Sequence, residues 1–137
     1  MKKHFFLIDD DEDELDIFME AIRKVDLPTK CTYAQSSEQA LDMLNYLAPD
    51  YIFIDINMPK TNGYDCLAKI KAKPGLTSSC IVMYSNGIDD KSAAKATTLG
   101  ASHCIQKTEN ISDLVTQIRQ LIETREQVVS AAHLKEN

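Results

Sequence analysis

The stretch that decides the fold is Tyr51-Ile52-Phe53-Ile54-Asp55-Ile56-Asn57-Met58-Pro59, in which four apolar residues end abruptly at an acid. A short apolar run bounded by turn residues predicts a strand that is buried on both faces. The same pattern occurs at Phe5 to Ile8 and at Ile81 to Tyr84, and more weakly at Cys31 to Ala34 and His103 to Gln106. Strands buried on both faces are typical of parallel sheets.

Each apolar run is followed by a segment whose apolar residues recur at helical spacing. Leu15, Phe18 and Ile22 follow the first run in this way, and the segment with Ala40, Leu41, Leu44 and Leu47 follows the second. Five strand and helix units in alternation predict an α/β fold, with a doubly wound, five-stranded parallel sheet covered by helices on both faces. No repeat or linker interrupts the pattern, so we predict one domain over residues 1–125.

Residues 126–137 form a C-terminal tail, for which the sequence leaves two structures open. Val128, Val129 and Ala132 continue the apolar spacing of the last helix. The tail therefore either extends that helix and offers a surface to a partner or a second copy of the chain, or frays into solvent.

The charge of the chain is concentrated near its N-terminus. The formal net charge is −6, and seven acids with no base lie between Asp9 and Asp16. Acids at the start of a helix interact favourably with its dipole, which accounts for Glu12 to Glu14 as a solvated helix end. A basic stripe with interleaved aromatic residues is missing from the sequence, so we expect no direct nucleic-acid binding. The apolar run before the acids is too short for a signal peptide or a membrane span, so we expect a cytoplasmic location and no membrane contact.

Polar residues follow the predicted strands at the edge where parallel sheets bind ligands. Asp9 and Asp10 follow the first run, Asp55 the third, Ser85 the fourth and Lys107 the fifth. Crowded carboxylates favour a hard divalent cation such as Mg²⁺, and a carboxylate can also attack a phosphoryl group. An ammonium and a hydroxyl would bind the phosphoryl oxygens. The set predicts a Mg²⁺-dependent site that forms an aspartyl phosphate.

Four motifs, in this order and spacing, resemble the receiver domain of two-component response regulators. They are Phe6 to Asp11, Asp50 to Pro59 with Gly63 eight residues after Asp55, Ile81 to Ser85, and Gly100 to Ser102 leading to Lys107. The resemblance covers about residue 4 to about residue 124. It implies a flavodoxin-like fold of five βα units that accepts a phosphoryl group from a sensor histidine kinase or a phosphotransfer protein.

The resemblance also implies roles for the acidic residues. Asp55 corresponds to the phosphoacceptor and contributes to the metal site. Asp10 corresponds to a direct Mg²⁺ ligand, Asp9 to one that acts partly through water, and Asn57 supplies its backbone carbonyl. Asp11 adjoins this pair, so an acidic pair shifted by one residue is the alternative.

Ser85 resembles the family's switch hydroxyl, and Lys107 its active-site lysine. Three neighbouring positions depart from the family pattern. Cys104 stands where the family has a switch Tyr or Phe, Thr108 replaces the Pro whose preceding peptide bond is cis, and Asn86 replaces a small residue. A cis bond before Thr costs roughly 2.5–4 kcal/mol, which leaves the isomer of that bond open.

Two other functions compete with this one. Asp9, Asp11, Asp13 and Glu20 match the spacing of an EF-hand calcium loop, although Glu14 stands where that loop requires Gly. A haloacid-dehalogenase-like phosphatase would use Asp9 as its nucleophile, although Asp13 stands where that family has Thr or Val.

The way in which the signal leaves the domain is the remaining question. Only 12 residues follow Arg125, so we expect a stand-alone receiver that signals by protein contact. It would act as a messenger to an unidentified target protein, a phosphorelay intermediate or a phosphate sink. We expect it to catalyse only its own phosphorylation and dephosphorylation, with a homodimer as one form of contact.

Overall fold

The computed structural model describes residues 2–60 and 62–136, with side chains described up to residue 127. Five strands alternate with five α-helices: β1 (Lys3–Ile8), α1 (Glu12–Arg23), β2 (Thr29–Ala34), α2 (Ser37–Met43), β3 (Tyr51–Ile54), α3 (Gly63–Lys71), β4 (Cys80–Ser85), α4 (Asp90–Thr98), β5 (His103–Gln106) and α5 (Ile111–Glu136). A short 3₁₀ helix at Pro74–Leu76 precedes β4. The predicted alternation of strands and helices is confirmed.

The strands form one parallel sheet in the order β2-β1-β3-β4-β5. This is the flavodoxin-like order, in which the chain moves to opposite sides of β1 and opens a crevice between β1 and β3. Ile8 pairs with Ile54 at the carboxyl ends of these two strands. Asp9 and Asp55, the next residues, therefore leave the sheet at the same level.

Alternate residues of each strand point to opposite faces of the sheet and build two separate cores. Phe5, Phe53 and Tyr84 pack with α1 and α5 on one face, where Phe18 of α1 lies against both Phe53 and Tyr84. The other core lies under α2, α3 and α4. Strands whose two faces are both covered have continuous apolar sequences, which is why the sequence pattern predicted them.

The ends of several elements differ from the expected ones. β1 and β2 begin two residues before the predicted runs, since backbone pairing of Lys3 with Thr29 does not require an apolar side chain. α2 ends at Met43 although the apolar spacing continues to Leu47, which packs on the core from the following turn. The calcium-loop alternative is wrong, because the chain is helical from Glu12 onward.

The last helix continues through the tail as far as Glu136. The side chains of Val128, Val129 and Ala132, on which the predicted contact surface depends, lie outside the described ones. Within the part of the chain described here, no helix is both long and apolar enough to cross a membrane.

Candidate functional site

The site lies at the carboxyl edge of the sheet, where backbone hydrogen bonds hold its two central acids. The Asp55 amide donates to the carbonyl of Ile8 (2.9 Å), and the Asp9 amide donates to the carbonyl of Ala34 (3.1 Å). These bonds extend the pairing of β1 with β2 and β3 beyond the last strand residue. The position of each acid is therefore set by the sheet and not by a free loop.

Three carboxylates meet at this edge. Asp9 is fully buried and Asp55 is 4% exposed, whereas Asp10 is exposed to solvent. One oxygen from each of the three lies within 4.8 Å of the others. Asp11 is not part of this group, because its side chain caps α1 by accepting a hydrogen bond from the amide of Asp13 (2.9 Å).

The donor set fits a magnesium ion. Hard oxygen ligands from one or two carboxylates and a carbonyl are the kind that Mg²⁺ takes in proteins. Asp9 Oδ1 accepts a hydrogen bond from the Asp11 amide (3.0 Å), but within the described residues Asp9 Oδ2 has no partner besides the ammonium of Lys107. The single ammonium of Lys107 balances only part of the negative charge of the three carboxylates, and a divalent cation would offset the rest.

Lys107 bridges the two buried acids. Its Nζ lies 2.7 Å from Asp9 Oδ2 and 3.6 Å from Asp55 Oδ2, and its side chain is 7% exposed. Burial lowers the pKa of Lys107, but the hydrogen bond and charge of Asp9, with the charges of Asp55 and Glu14, outweigh it and raise the pKa above its usual value. The lysine is therefore a permanent cation at neutral pH.

The carboxyl group of Asp55 has a pKa above its ordinary value. Burial raises the pKa of Asp55 to about 6, against the hydrogen bond from the Asn57 amide and the charge of Lys107, with Asp9 and Asp10 raising it further. The carboxylate is ionised at neutral pH but is poorly stabilised by the protein alone. An added cation would relieve the repulsion between Asp55 and the carboxylates of Asp9 and Asp10.

Asn57 joins Asp55 to the strand that carries Ser85. Its backbone amide donates to Asp55 Oδ1 (3.1 Å), and its side-chain amide donates to Ser85 Oγ (3.1 Å). Ser85 is buried, and its hydroxyl donates to the carbonyl of Asn86 (3.3 Å). The Lys107 amide in turn donates to the carbonyl of Ser85 (2.9 Å). The structure thus brings together all six residues predicted for the site.

Gly63 allows α3 to approach the loop that begins at Asp55. Its amide donates to the carbonyl of Ile56 (2.8 Å). A Cβ atom at this position would lie 2.3 Å from the carbonyl oxygen of Asp55 and 2.7 Å from the Cα of Ile56. The glycine is required by contact with the backbone of the site, so its place in the sequence motif reflects packing and not merely a turn.

Sequence reasoning missed two residues around the acids. Tyr33 donates its hydroxyl to the carbonyl of Asp9 (2.6 Å), and no local signal marked this tyrosine at the end of β2. Glu14 lies in the first turn of α1 as expected, but it is not fully solvated. It is partly buried, burial raises its pKa, and the nearby charge of Lys107 opposes that rise. The charge of Glu14 in turn helps to raise the pKa of Lys107.

The structure shows the surroundings of Cys104 and the Lys107–Thr108 bond, two of the features that depart from the family pattern. Cys104 is partly buried and packs on the core that lies under α2, α3 and α4. The peptide bond between Lys107 and Thr108 is trans, as are the other bonds of the described residues. The question that the sequence left open about this bond is thereby answered.

Comparison with known proteins identifies related chains. The profile of the family described as "Response regulator receiver domain" matches residues 5–119. The nitrate/nitrite response regulator protein NarL of Escherichia coli K12 is 31% identical over 87 residues, which are 64% of this chain and 39% of that protein. The protein-glutamate methylesterase/protein-glutamine glutaminase of Methanococcoides burtonii is 31% identical over 111 residues, covering 74% of this chain and 31% of that protein.

A solved structure agrees with these sequence matches. The phosphorylated cyanobacterial phytochrome response regulator RcpA superposes with a TM-score of 0.76 at 25% identity, covering 90% of this chain and 93% of that one. The chain spans less than half the length of the two curated relatives. The likeness therefore concerns only part of each relative.

Proposed function

Because the chain belongs to the response regulator receiver family, we propose that it accepts a phosphoryl group on Asp55 with the help of Mg²⁺ and passes the signal on by protein contact. The observation that carries this proposal is the nearly buried Asp55 carboxylate, 3.6 Å from the Lys107 ammonium and grouped with Asp9 and Asp10. Such a carboxylate is a nucleophile in a site arranged to hold negative charge.

The proposed reaction transfers a phosphoryl group from a phosphohistidine to Asp55. A carboxylate oxygen of Asp55 forms a bond to phosphorus while the phosphorus–nitrogen bond breaks, and the histidine nitrogen keeps the electron pair and takes a proton. Lys107 and the hydroxyl of Ser85 are the donors for the phosphoryl oxygens. Positioning and charge stabilisation are the main contributions that a protein makes to phosphoryl transfer.

Asp9, Asp10, Asp55 and the backbone carbonyl of Asn57 would hold the magnesium ion. When bound, the ion neutralises charge on the phosphoryl oxygens and on the clustered carboxylates. The residues of the chain do the rest: the Asn57 amide orients Asp55 through Oδ1 (3.1 Å) and leaves its other oxygen facing Lys107. Burial keeps bulk water from competing for these donors.

Receiver domains take their phosphoryl group from histidine kinases or phosphotransfer proteins, and we propose a protein of that class as the donor here. Phosphorylation would draw Ser85 away from the Asn86 carbonyl toward Asp55, and the loops after β4 and β5 would follow. Cys104 is too small to replace the turning aromatic ring of other receivers. We expect the signal to pass through these loops to an unidentified target protein or a second copy.

We place the reaction in the cytoplasm. The four cysteines, Cys31, Cys66, Cys80 and Cys104, are all free thiols in the structure. Unpaired cysteines are the usual state in a reducing compartment.

The test is phosphorylation by a small donor, acetyl phosphate, with Mg²⁺, followed by mass spectrometry of borohydride-trapped peptides. Asp55→Asn should abolish labelling, because its amide is not a nucleophile. Asp16→Asn, which changes an exposed acid of α1, should label like the parent. Undiminished labelling of Asp55→Asn would refute the assignment, and a label on Asp9 would support the phosphatase alternative.

A further inference from the structure

We propose that Tyr84 is a positioning residue whose aromatic ring supports the ammonium of Lys107 between Asp9 and Asp55. This inference rests on the function proposed above, since it concerns the lysine that would bind the phosphoryl group. Tyr84 precedes the switch serine in β4, and the sequence motifs gave it no role beyond the core.

The geometry begins with the ring of Tyr84, which is fully buried. Lys107 Nζ lies over this ring, 5.5 Å from its centroid. A cation within about 6 Å of an aromatic centroid is attracted by the negative face of the ring, and more strongly when water is excluded. Because the Lys107 side chain is 7% exposed, little water remains to compete.

Two other aromatic rings hold Tyr84 in place. Phe53 packs edge-on at 5.8 Å between centroids, with an interplanar angle of 80°, and Phe18 lies at 6.0 Å. These contacts fix the ring so that one face is turned toward the lysine. The core under α1 and α5 thus reaches the carboxyl edge of the sheet with an aromatic ring that contacts the Lys107 ammonium.

A ring suits this role because its attraction lacks the directionality of a hydrogen bond. Lys107 must exchange its 2.7 Å contact with Asp9 for new contacts with phosphoryl oxygens during the reaction. An additional carboxylate beneath the ammonium would hold it in one place, whereas the ring face allows it to slide without losing support.

The hydroxyl of Tyr84 takes no part in this support. Within the described residues it has no hydrogen-bond partner although it is buried. The ring alone should therefore carry the effect, and phenylalanine should replace tyrosine without loss. A merely structural role that depended on the hydroxyl would predict the opposite.

Tyr51 offers a matched control. It is also a buried tyrosine in the same core, and its hydroxyl likewise has no partner among the described residues. It lies at the start of β3, at the opposite end of the sheet from the site, and stacks on Phe5. Tyr51→Leu should disturb the core in the same way as Tyr84→Leu while leaving Lys107 supported.

The experiment compares phosphorylation rate constants with acetyl phosphate and Mg²⁺ for the parent, Tyr84→Phe, Tyr84→Leu and Tyr51→Leu, each shown to be folded by circular dichroism. We expect a fall of roughly ten-fold for Tyr84→Leu, the size that a desolvated cation–π contact supports, with near-parental rates for the other two. Equal rates for Tyr84→Leu and Tyr51→Leu would overturn the proposal.

Lysine methylene signals in NMR test the contact without any phosphorylation. In the parent and in Tyr84→Phe, the ring current should move the ε-methylene protons of Lys107 upfield, and Tyr84→Leu should remove that shift. An unshifted signal in the folded parent would overturn the inference even if the leucine variant failed to fold. A parent that shows the shift but is never phosphorylated would instead refute the function proposed for the site.

Discussion

Replacing Gly63 by alanine should destabilise the domain through the backbone of the phosphorylation site. The added Cβ would lie 2.3 Å from the carbonyl oxygen of Asp55, about 1 Å short of the 3.4 Å at which ordinary van der Waals contact begins. The second neighbour, the Cα of Ile56 at 2.7 Å, is also backbone, so neither atom can rotate away. The start of α3 and the end of β3 must therefore separate.

The expected cost follows from two opposing effects. Overpacking of this kind costs roughly 1–3 kcal/mol, and the upper end applies because the clash is with rigid backbone. Alanine offsets some of it, since it favours helix over glycine by up to about 1 kcal/mol. We expect a net loss of about 2 kcal/mol in the free energy of unfolding.

Urea denaturation monitored by circular dichroism measures this loss, and Gly75→Ala is the matched control. A Cβ at Gly75 would meet nothing within 4 Å, so that variant should stay within about 0.5 kcal/mol of the parent. If Gly63→Ala were as stable as Gly75→Ala, the packing of α3 against Asp55 would be refuted. In the folded fraction, Gly63→Ala should also be phosphorylated more slowly, because Asp55 is displaced.

Two further predictions concern the acids of the site. With Mg²⁺ at about ten times its dissociation constant, the free energy of unfolding should rise by roughly 1.4 kcal/mol, as measured by calorimetry. Asp10→Ala should abolish this gain. An unchanged gain in the variant would place the ion elsewhere. Burial raises the pKa of Asp55 to about 6 from its ordinary value of 3.8, because the folded protein favours the protonated carboxyl. The contribution of this group to stability is therefore fully present below pH 3.8 and is lost as the pH rises through 6. In chelator, Asp55→Asn should therefore exceed the parent in stability at pH 8, by up to roughly 3 kcal/mol, and match it near pH 3; a parent that is the more stable at pH 8 would contradict the direction of the shift.

The two predictions about the acids share one physical origin. The edge of the sheet concentrates negative charge in a place with little water, and Lys107 offsets only part of it. A site of this kind is costly to the metal-free fold, which is the usual relation between function and stability at a binding site. The destabilised carboxylate is the one proposed to react.

The sequence by itself determined the strands and their polar ends. A strand covered on both faces needs apolar side chains along its whole length. The strands at Phe5 to Ile8 and Tyr51 to Ile54 could therefore be identified without knowing which helices pack against them. Parallel strands also end at a common edge, so Asp9, Asp55 and Lys107 could be expected near one another. The fold class followed from these local facts alone.

Tertiary structure decided which groups touch. The 2.7 Å contact of Lys107 with Asp9, the hydroxyl of Tyr33 on the Asp9 carbonyl and the ring of Tyr84 under the ammonium join residues far apart in the chain. Apolar periodicity indicates that a residue is buried but not which residues lie beside it, so the sequence identified Tyr84 only as a core residue. The sequence likewise predicted that Glu14 is solvated, since its partial burial depends on how α1 packs over the carboxyl edge of the sheet.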